Sequence, residues 1–369
     1  MKNVKDLQYQ KKLWTPETLL PHLKTFSLKP KISVGIWYFS PGGGRFHDRF
    51  VPETTIEERL NLIAEMKKSG IKGVEAHYPT EINERNIHLY RNLIKETGIK
   101  VIGIPFGHFF DKQFEFGALS NPDPVIRALA IEIAIKGMHL VKELGTATAI
   151  SWPGMDGYTY DIGTIYPWMW QYYDKSMAKI LDAVPGVRVA LEPKPYEPAI
   201  NNIFRTTAEG ILAAERIESY VTHPNNRKLL QEGYALFGLN PEFGHVRMGY
   251  EAAGAAYALV GMHGRLAHVH INSQPLGNYD QDLNVGVVDV QQTYAMLYAL
   301  KMMAYDEYIG IDINPEHMPV QTALEINIEM ITKLAEKLDT LPHEAIIDCY
   351  LHPAQNRGKL ERLLMEYLV

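Results

Sequence analysis

Residues 266–286 read LAHVHINSQPLGNYDQDLNVG, and this stretch carries more metal-ligand side chains than an ordinary core strand. From His268 through His270 to Asn272, polar residues alternate with apolar ones, so in a strand the three polar side chains lie on one face. A loop with two aspartates one residue apart follows, and such carboxylates repel each other unless a cation lies between them. These aspartates are Asp280 and Asp282. The stretch therefore predicts a strand that ends at a divalent metal site.

On both sides of this stretch, short β-branched runs alternate with longer helical patterns. The predicted strands are residues 32–37, 71–77, 100–105, 147–152, 187–192, 235–239, 266–271 and 308–312. The predicted helices are residues 56–68, 83–97, 124–144, 166–183, 206–219, 248–262 and 290–303, with an eighth within 319–338. Eight alternating units predict an α/β protein with a (β/α)8 TIM barrel.

The domain organisation follows from this alternation, since no low-complexity linker interrupts it. We expect a single domain over residues 1–369. It would comprise a short N-terminal lead-in at 1–30, the barrel at about 31–340 and a C-terminal helical extension at 341–369, with a last helix at 354–367.

Composition excludes several classes of partner. The net charge is −6 and no basic cluster appears, which disfavours nucleic acid. The single cysteine, Cys349, cannot form an internal disulfide and fits a reducing compartment. The amino terminus is polar rather than an apolar secretory signal, and no run of about 18 apolar residues could span a membrane. We therefore expect a cytoplasmic protein without a membrane partner.

Chemically distinctive residues fall at the ends of the predicted strands, where barrel enzymes place their active sites. They are Trp37, His77, Phe106, Trp152, Glu192, Glu242, His270 and Asp312. In a closed barrel these side chains would converge at one mouth.

Two motifs at these ends pair a carboxylate with a basic side chain. In LEPKP, Glu192 and Lys194 lie on the same side if the strand continues, although an ion pair at the surface is the alternative. In NPEFGH, Glu242 and His245 are three residues apart and can bind one ion or bridge two. The alternative for that motif is a glutamate at a helix start beside a solvated histidine.

The combined set is more informative than either motif. Seven ligand-type side chains come from the ends of strands five to eight: Glu192, Glu242, His245, His270, Asp280, Asp282 and Asp312. Five of them are carboxylates, whose mutual repulsion in a partly dry site costs several kcal/mol without positive charge. Two divalent cations would supply that charge, so we expect a dinuclear metal site.

The chain resembles xylose isomerase over roughly residues 33–312. The resemblance rests on GIWYF, SNPDPVIR, LEPKPYEP, GLNPEFGH, HVHIN, YDQDLNVG and GIDIN, in that order. It implies one metal held by Glu192, Glu242, His270 and Asp312. It implies a second metal held by Glu242, His245, Asp280 and Asp282, with Glu242 bridging.

The same resemblance implies roles for the remaining residues. His77 would promote ring opening, Lys194 would lie near the sugar O1, and Asp280 would act at the second metal. Substrate contacts are expected from the apolar walls and from side chains on the same faces: Trp37, Phe106, Trp152, Asn272 and Phe46. Phe46 resembles the aromatic that enters a partner subunit's cavity, which implies a homodimer or homotetramer.

One departure concerns the strand-seven ligand, which is an aspartate in xylose isomerases and His270 here. A nitrogen donor favours Mn²⁺ or Co²⁺ over Mg²⁺. A histidine at this place resembles the sites of L-rhamnose isomerases and ketose 3-epimerases. The alternative is that His270 points away and one metal is lost.

Other departures surround the substrate. The family pairs its ring-opening histidine with an aspartate three residues later, where this chain has Thr80. We hypothesise that Glu75, on the same strand face as His77, orients and charges it, with Glu81 as the rival. Asn314 replaces a family lysine, and the C-terminal arm is shorter.

The expected function is metal-dependent aldose–ketose isomerisation of a small sugar, by ring opening and a hydride shift between C1 and C2. The expected cofactors are two divalent ions among Mn²⁺, Mg²⁺ and Co²⁺. The alternatives are a ketose 3-epimerase or another sugar lyase or deglycosidase with a single metal, a metal-dependent phosphodiesterase, and a sugar-binding protein without activity. An enediol route is also compatible with the residues.

Overall fold

The computed structural model describes residues 14–42, 46–109, 111–315 and 317–368. Eight parallel strands form one sheet in which neighbours along the chain pair, except the sixth and seventh, and the first strand pairs with the last. They are β1 (Lys31–Gly35), β2 (Ile71–Glu75), β3 (Lys100–Pro105), β4 (Thr148–Ser151), β5 (Val189–Leu191), β6 (Phe237–Leu239), β7 (Val269–Ile271) and β8 (Tyr308–Ile311). Bridges from Leu239 to Leu266 and from Glu242 to His270 link β6 to the β7 segment. The predicted (β/α)8 barrel is confirmed.

Helices surround the barrel and follow its strands. They are α1 (Pro16–Thr25), α2 (Ile56–Glu65), α3 (Ile87–Thr97), α4 (Pro124–Leu144), α5 (Tyr166–Ala183), α6 (Thr207–Ser219), α7 (Pro224–Gln231), α8 (Phe243–Met248), α9 (Ala253–Met262), α10 (Val290–Met302), α11 (Val320–Asp339), α12 (His343–Leu351) and α13 (Lys359–Leu368). Short 3₁₀ turns lie at Trp37–Phe39, Met66–Ser69 and Lys112–Phe114. No helix among the described residues is both long and apolar enough to cross a membrane.

Capping explains why some helix bounds match the prediction. Asp123 accepts a hydrogen bond from the Val125 N–H, Pro124 occupies the first turn, and Gly145 ends α4 with a φ of 64°. The predicted helix at 248–262 begins instead at Ala253 as α9, because Met248 ends α8 and Tyr250 adopts a φ of 57° between the two helices. The break lets α8 point His245 into the barrel mouth.

The terminal segments pack on each other outside the barrel. Helix α1 lies within the predicted lead-in and contacts α12, with Lys24 Nζ 3.0 Å from Glu344 Oε2. Helix α13 packs on α12. Residues 1–13 of the lead-in lie outside the described residues, and the single-domain organisation stays a prediction.

The barrel interior is partly polar, because Glu75 of β2 enters it fully buried. Two strand glycines leave space for the Glu75 side chain. A Cβ at Gly310 would lie 2.7 Å from Glu75 Oε1 and 2.6 Å from His270 Cδ2, and one at Gly103 would lie 3.0 Å from Glu75 Oε2. These strand glycines therefore allow a charged side chain where a barrel normally packs branched apolar ones.

Candidate active site

A cavity of about 690 Å³ opens at the C-terminal ends of the strands. Carboxylates and histidines from β5 to β8 line one side of it, and aromatic rings from the earlier strands line the other. Seven of the eight residues predicted to converge at the barrel mouth line this cavity, and Phe106 does not.

The first group of possible metal ligands contains Glu192, Glu242, His270 and Asp312. One ligand atom from each lies within 4.8 Å of the others. His270 Nδ1 is 3.2 Å from Glu192 Oε2 and 3.4 Å from Asp312 Oδ2. His270 thus points into the group, not away from it.

The second group contains Glu242, His245 and Asp280. His245 Nδ1 is 3.3 Å from Glu242 Oε2, and its Nε2 is 3.3 Å from Asp280 Oδ2. Glu242 belongs to both groups, as a bridging carboxylate would. Asp282 lines the same cavity but lies outside this compact group.

The electrostatics of these groups fit divalent cations. Burial and the negative charges of Asp280, Asp312, Glu192 and Asp282 raise the pKa of Glu242 well above its usual value. Burial alone would lower the pKa of His270, but Glu75 and Glu192 raise it well above its usual value. The buried Nδ1 atoms of His245 and His270 make no hydrogen bond among the described residues. Buried lone pairs beside crowded carboxylates are the donor set that a metal ion satisfies.

Amide side chains hold the carboxylates in place. Asn240 Nδ2 donates to Glu192 Oε2 at 2.8 Å. Asn272 Nδ2 donates to Glu242 Oε1 at 2.9 Å and to Asp282 Oδ1 at 3.1 Å. Asn272 was predicted to contact substrate, but it is fully buried behind these carboxylates and fixes their orientation instead.

Lys194 is buried at the edge of the second group. Its Nζ lies 2.8 Å from Asp280 Oδ2 and 3.2 Å from Glu197 Oε2, and 5.2 Å from the centre of the Trp152 ring. A fixed cation here offsets part of the negative charge and faces the cavity. The predicted position of Lys194 beside the substrate is consistent with this geometry.

His77 faces the cavity from the other side. Glu81 Oε2 lies 2.8 Å from His77 Nδ1 and also accepts the His77 backbone N–H at 2.8 Å. Arg59 Nη1 lies 3.6 Å from Glu81 Oε1. The hypothesis that Glu75 orients His77 is wrong, because Glu81 holds that place and the Glu75 oxygens are directed to β7.

Glu75 instead bonds two histidines of the opening stretch. Its Oε1 lies 3.1 Å from His268 Nε2 and its Oε2 lies 3.0 Å from His270 Nε2. The Ser33 hydroxyl donates to Oε1 at 2.8 Å. Burial alone would raise the pKa of Glu75, but the two histidines hold it well below its usual value.

The aromatic wall differs from the prediction at one position. Phe106 is fully buried and packs toward α4, where a Cβ at Gly137 would lie 3.3 Å from its ring. Phe109 lines the cavity in its place, with its ring 4.4 Å from that of Trp152 and 5.4 Å from that of His77. Trp37 lines the cavity as predicted, and its Nε1 donates to Asp312 Oδ1 at 2.9 Å.

A family model described as the xylose isomerase-like TIM barrel matches residues 63–334. The chain belongs to this family. The xylose isomerase of Thermus thermophilus is 29% identical over 265 residues, which are 68% of this chain and 65% of that protein. The matched region thus spans slightly less than two thirds of that relative's length.

Solved structures of sugar epimerases share the fold of this xylose isomerase-like barrel. An L-ribulose 3-epimerase superposes with a TM-score of 0.62 and 16% identity, covering 84% of this chain and 96% of that one. A D-allulose 3-epimerase from Methylomonas sp. superposes with a TM-score of 0.60 and 15% identity, covering 84% and 99%.

Three departures from the xylose isomerase pattern, at Thr80, His270 and Asn314, line the cavity. The Asn314 N–H donates to the Asp282 carbonyl at 2.8 Å. Phe46 lines a smaller cavity that shares Asp280 and Asn314 with this one; it is 78% exposed, and its ring stands edge-on to Tyr279 at 5.1 Å between centres. Arg59 was missed by the sequence analysis, because nothing in the sequence of α2 marks it as facing a strand end.

Proposed function

We propose that this protein is a metal-dependent sugar isomerase that interconverts an aldose and a ketose. The observation that carries the proposal is Glu242, shared by two adjacent ligand groups that face His77 across one cavity. Membership of the xylose isomerase-like family and the likeness to a curated xylose isomerase support it.

Two divalent cations fit the ligand sets. Glu192, Glu242, His270 and Asp312 would hold the first, and Glu242, His245, Asp280 and Asp282 the second. Bound there, such ions polarise sugar hydroxyls and make a coordinated water acidic. The mixed oxygen and nitrogen donors favour Mn²⁺ or Co²⁺ over Mg²⁺.

His77 would open the sugar ring. With Nδ1 donating to Glu81, the tautomer that remains presents Nε2 to a substrate oxygen. Proton transfer at the ring oxygen and the anomeric hydroxyl then gives the open chain. The wall formed by Trp37, Phe109 and Trp152 keeps water from the reacting carbons.

Lys194 would stabilise the negative charge that develops on an oxygen of the open-chain sugar. Its ammonium is already held by Asp280, so no reorganisation is needed when an oxygen of the open chain becomes negative. The proposed step is a hydride shift from C2 to C1 with transfer of the O2 proton to O1; it rests on the resemblance to xylose isomerase, and an enediol route fits the same residues.

A second candidate is a ketose 3-epimerase with one metal. His270 in the first ligand group favours it, since this nitrogen donor departs from the all-carboxylate set of xylose isomerases. Two intact ligand groups favour the isomerase.

One experiment separates these reactions. Pentoses and hexoses, both aldo and keto, are incubated with the Mn²⁺, Co²⁺ or Mg²⁺ form in D₂O, and products are read by NMR. An isomerase using a hydride shift gives aldose–ketose pairs without deuterium at carbon. An epimerase gives a ketose inverted at C3 and exchanges that hydrogen, and no turnover of any sugar would contradict both. Glu242→Gln is the inactive control.

We also propose a homo-oligomer in which Phe46 reaches a partner subunit's cavity. A large exposed aromatic in the adjoining smaller cavity supports it. Light scattering of the full chain, with and without Phe46→Ala, measures the mass. A monomeric wild type would contradict the proposal.

A further inference from the structure

The contact between Glu75 and His270 connects the barrel interior to the first ligand group. His270 Nε2 lies 3.0 Å from Glu75 Oε2, while Nδ1 on the other side of the ring faces Glu192 and Asp312. A carboxylate accepts only, so this contact requires a hydrogen on Nε2. A neutral His270 then has its lone pair on Nδ1, toward the ligand group.

We infer that Glu75 is a positioning residue that selects the Nδ1-coordinating tautomer of His270. The inference rests on the proposed metal site and concerns a residue that lies outside both ligand groups. It reassigns Glu75, because the residue acts on the metal ligand of β7 and not on His77.

The neighbours of Glu75 determine which of its two carboxylate oxygens contacts His270. Ser33 donates to Oε1 at 2.8 Å and His268 Nε2 lies 3.1 Å from the same oxygen, so Oε2 is left to His270. Glu75, His268 and His270 are each at most 3% exposed. A carboxylate held by three donors and closed off from water is fixed in orientation.

His268 supports the same arrangement. Its ring stands edge-on to the His270 ring, with centres 5.1 Å apart and planes at 83°. It thereby fills the space into which the His270 ring would turn. The His270 ring is therefore fixed by a hydrogen bond on one side and by packing on another.

The consequence is a carboxylate–histidine–metal relay at a ligand that is an aspartate in xylose isomerases. An aspartate ligand has no tautomer and needs no such partner. A histidine ligand does, and loss of such partners typically weakens metal binding by about 10–100-fold.

The test is a double-mutant cycle on metal affinity. Mn²⁺ binding to the metal-free full chain is measured by titration calorimetry in wild type, Glu75→Gln, His270→Asp and the double variant. We expect Glu75→Gln to weaken binding about 10–100-fold when residue 270 is histidine. When it is aspartate, the same change should leave the affinity unchanged or raise it, because two adjacent carboxylates no longer repel.

The cycle separates positioning from general damage. Equal losses in both backgrounds, or no loss in either, overturn the inference. If the wild type binds neither Mn²⁺ nor Co²⁺, both the proposed function and the inference are overturned. If the wild type binds metal and Glu75→Gln binds it equally well, only the inference is overturned. Glu218→Gln is the matched control, because Glu218 is a carboxylate of α6 outside the site that accepts from the Leu236 and Phe237 N–H groups and pairs with Arg265.

A measurement on the wild type covers the case in which Glu75→Gln fails to fold. Nitrogen-15 NMR of histidine-labelled chain loaded with diamagnetic Zn²⁺ reports the tautomer of His270. We expect hydrogen on Nε2 and metal on Nδ1, and the reverse assignment overturns the inference.

Discussion

His77 and Glu81 form a closed pair in which one carboxylate oxygen contacts both the ring Nδ1 and the backbone N–H of the histidine, each at 2.8 Å. The pair fixes the ring and leaves Nε2 as the nitrogen for proton transfer. Glu81→Gln keeps the shape but removes the charge. We expect kcat on a ring-forming pentose to fall roughly 10–100-fold, which corresponds to a charged hydrogen bond of about 1.5–3 kcal/mol.

A three-carbon aldose is the control for that variant, since it forms no stable ring. Its turnover should be much less affected. Equal losses on the pentose and the triose would show that Glu81 does not act through ring opening.

Removal of metal should reduce both activity and stability. The five carboxylates and two histidines of the proposed ligand set face one cavity, so without cations the repulsion between the carboxylates opposes folding. We expect EDTA to abolish turnover and lower the melting temperature, and Mn²⁺ or Co²⁺ to restore both. At a free metal concentration 100 times Kd, each site should add about 2.7 kcal/mol to the free energy of unfolding.

Metal analysis of the dialysed protein complements this measurement. Two ions per chain are expected, falling to one in Asp280→Asn. A stoichiometry of one in the wild type would favour the epimerase mechanism.

Lys194→Gln should destabilise the metal-free protein more than the loaded one. Lys194 and Asp280 are each 2% exposed, and removing one partner of a buried pair leaves the other charge uncompensated, at a cost of about 3–5 kcal/mol. A cation beside Asp280 compensates that charge. Urea unfolding with and without EDTA measures the difference.

Lys301→Gln is the matched control for Lys194. Lys301 is 1% exposed, with Nζ 2.7 Å from Asp339 Oδ1, and it lies outside the cavity lining. Its loss should cost the same in both conditions. Metal-independent destabilisation by Lys194→Gln would argue against its place beside the metal.

Phe106→Ala should mainly lower stability, whereas Phe109→Ala should mainly lower activity. Phe106 is a core side chain, so its loss should cost about 3–5 kcal/mol of stability. Phe109 forms the cavity wall, so its loss should lower kcat/KM by at least about tenfold, or 1.4 kcal/mol, with a smaller change in stability. Thermal unfolding and steady-state kinetics on both variants decide. The reverse pattern would restore the predicted role of Phe106.

His108 should make the protein acid-sensitive. Burial lowers the pKa of His108 to about 4, while its Nε2 bonds the Ala130 carbonyl. The unfolded chain takes up this proton below about pH 6.5, and the folded chain resists it. Stability therefore falls as the pH drops from about 6.5 toward 4, by about 3 kcal/mol from this group.

His108→Gln keeps a donor to the Ala130 carbonyl but does not titrate. The difference in unfolding free energy between pH 7 and pH 4 should be about 3 kcal/mol smaller in this variant. If the unfolding free energies of wild type and variant change equally with pH, His108 is not the source of the acid sensitivity.

The barrel and most of the candidate ligand residues were predictable, because both depend on short-range sequence pattern. Asp123, Pro124 and Gly145 give local signals for the two ends of α4, and the structure follows them. Strand alternation likewise placed His270 toward the mouth, since β7 continues in a regular extended path.

Positions beyond the strand ends were not predictable in the same way. Pro105 lines the cavity, so the next residue, Phe106, points to the helices, and the following turn brings Phe109 inward. Glu81 reaches His77 through a loop, and loop geometry leaves no periodic signal. The orientation of Glu75 depended on space left by Gly103 and Gly310, which is a three-dimensional property.

Gly310 has a consequence for how this site could have evolved. A β-carbon there would collide with both Glu75 and His270, so these three positions are constrained together. A single mutation of His270 to aspartate would set two acids against each other, and a single mutation of Gly310 would displace the histidine. The histidine form of this barrel therefore needs Glu75 and Gly310 together, and homologues with a histidine at this place should carry all three residues.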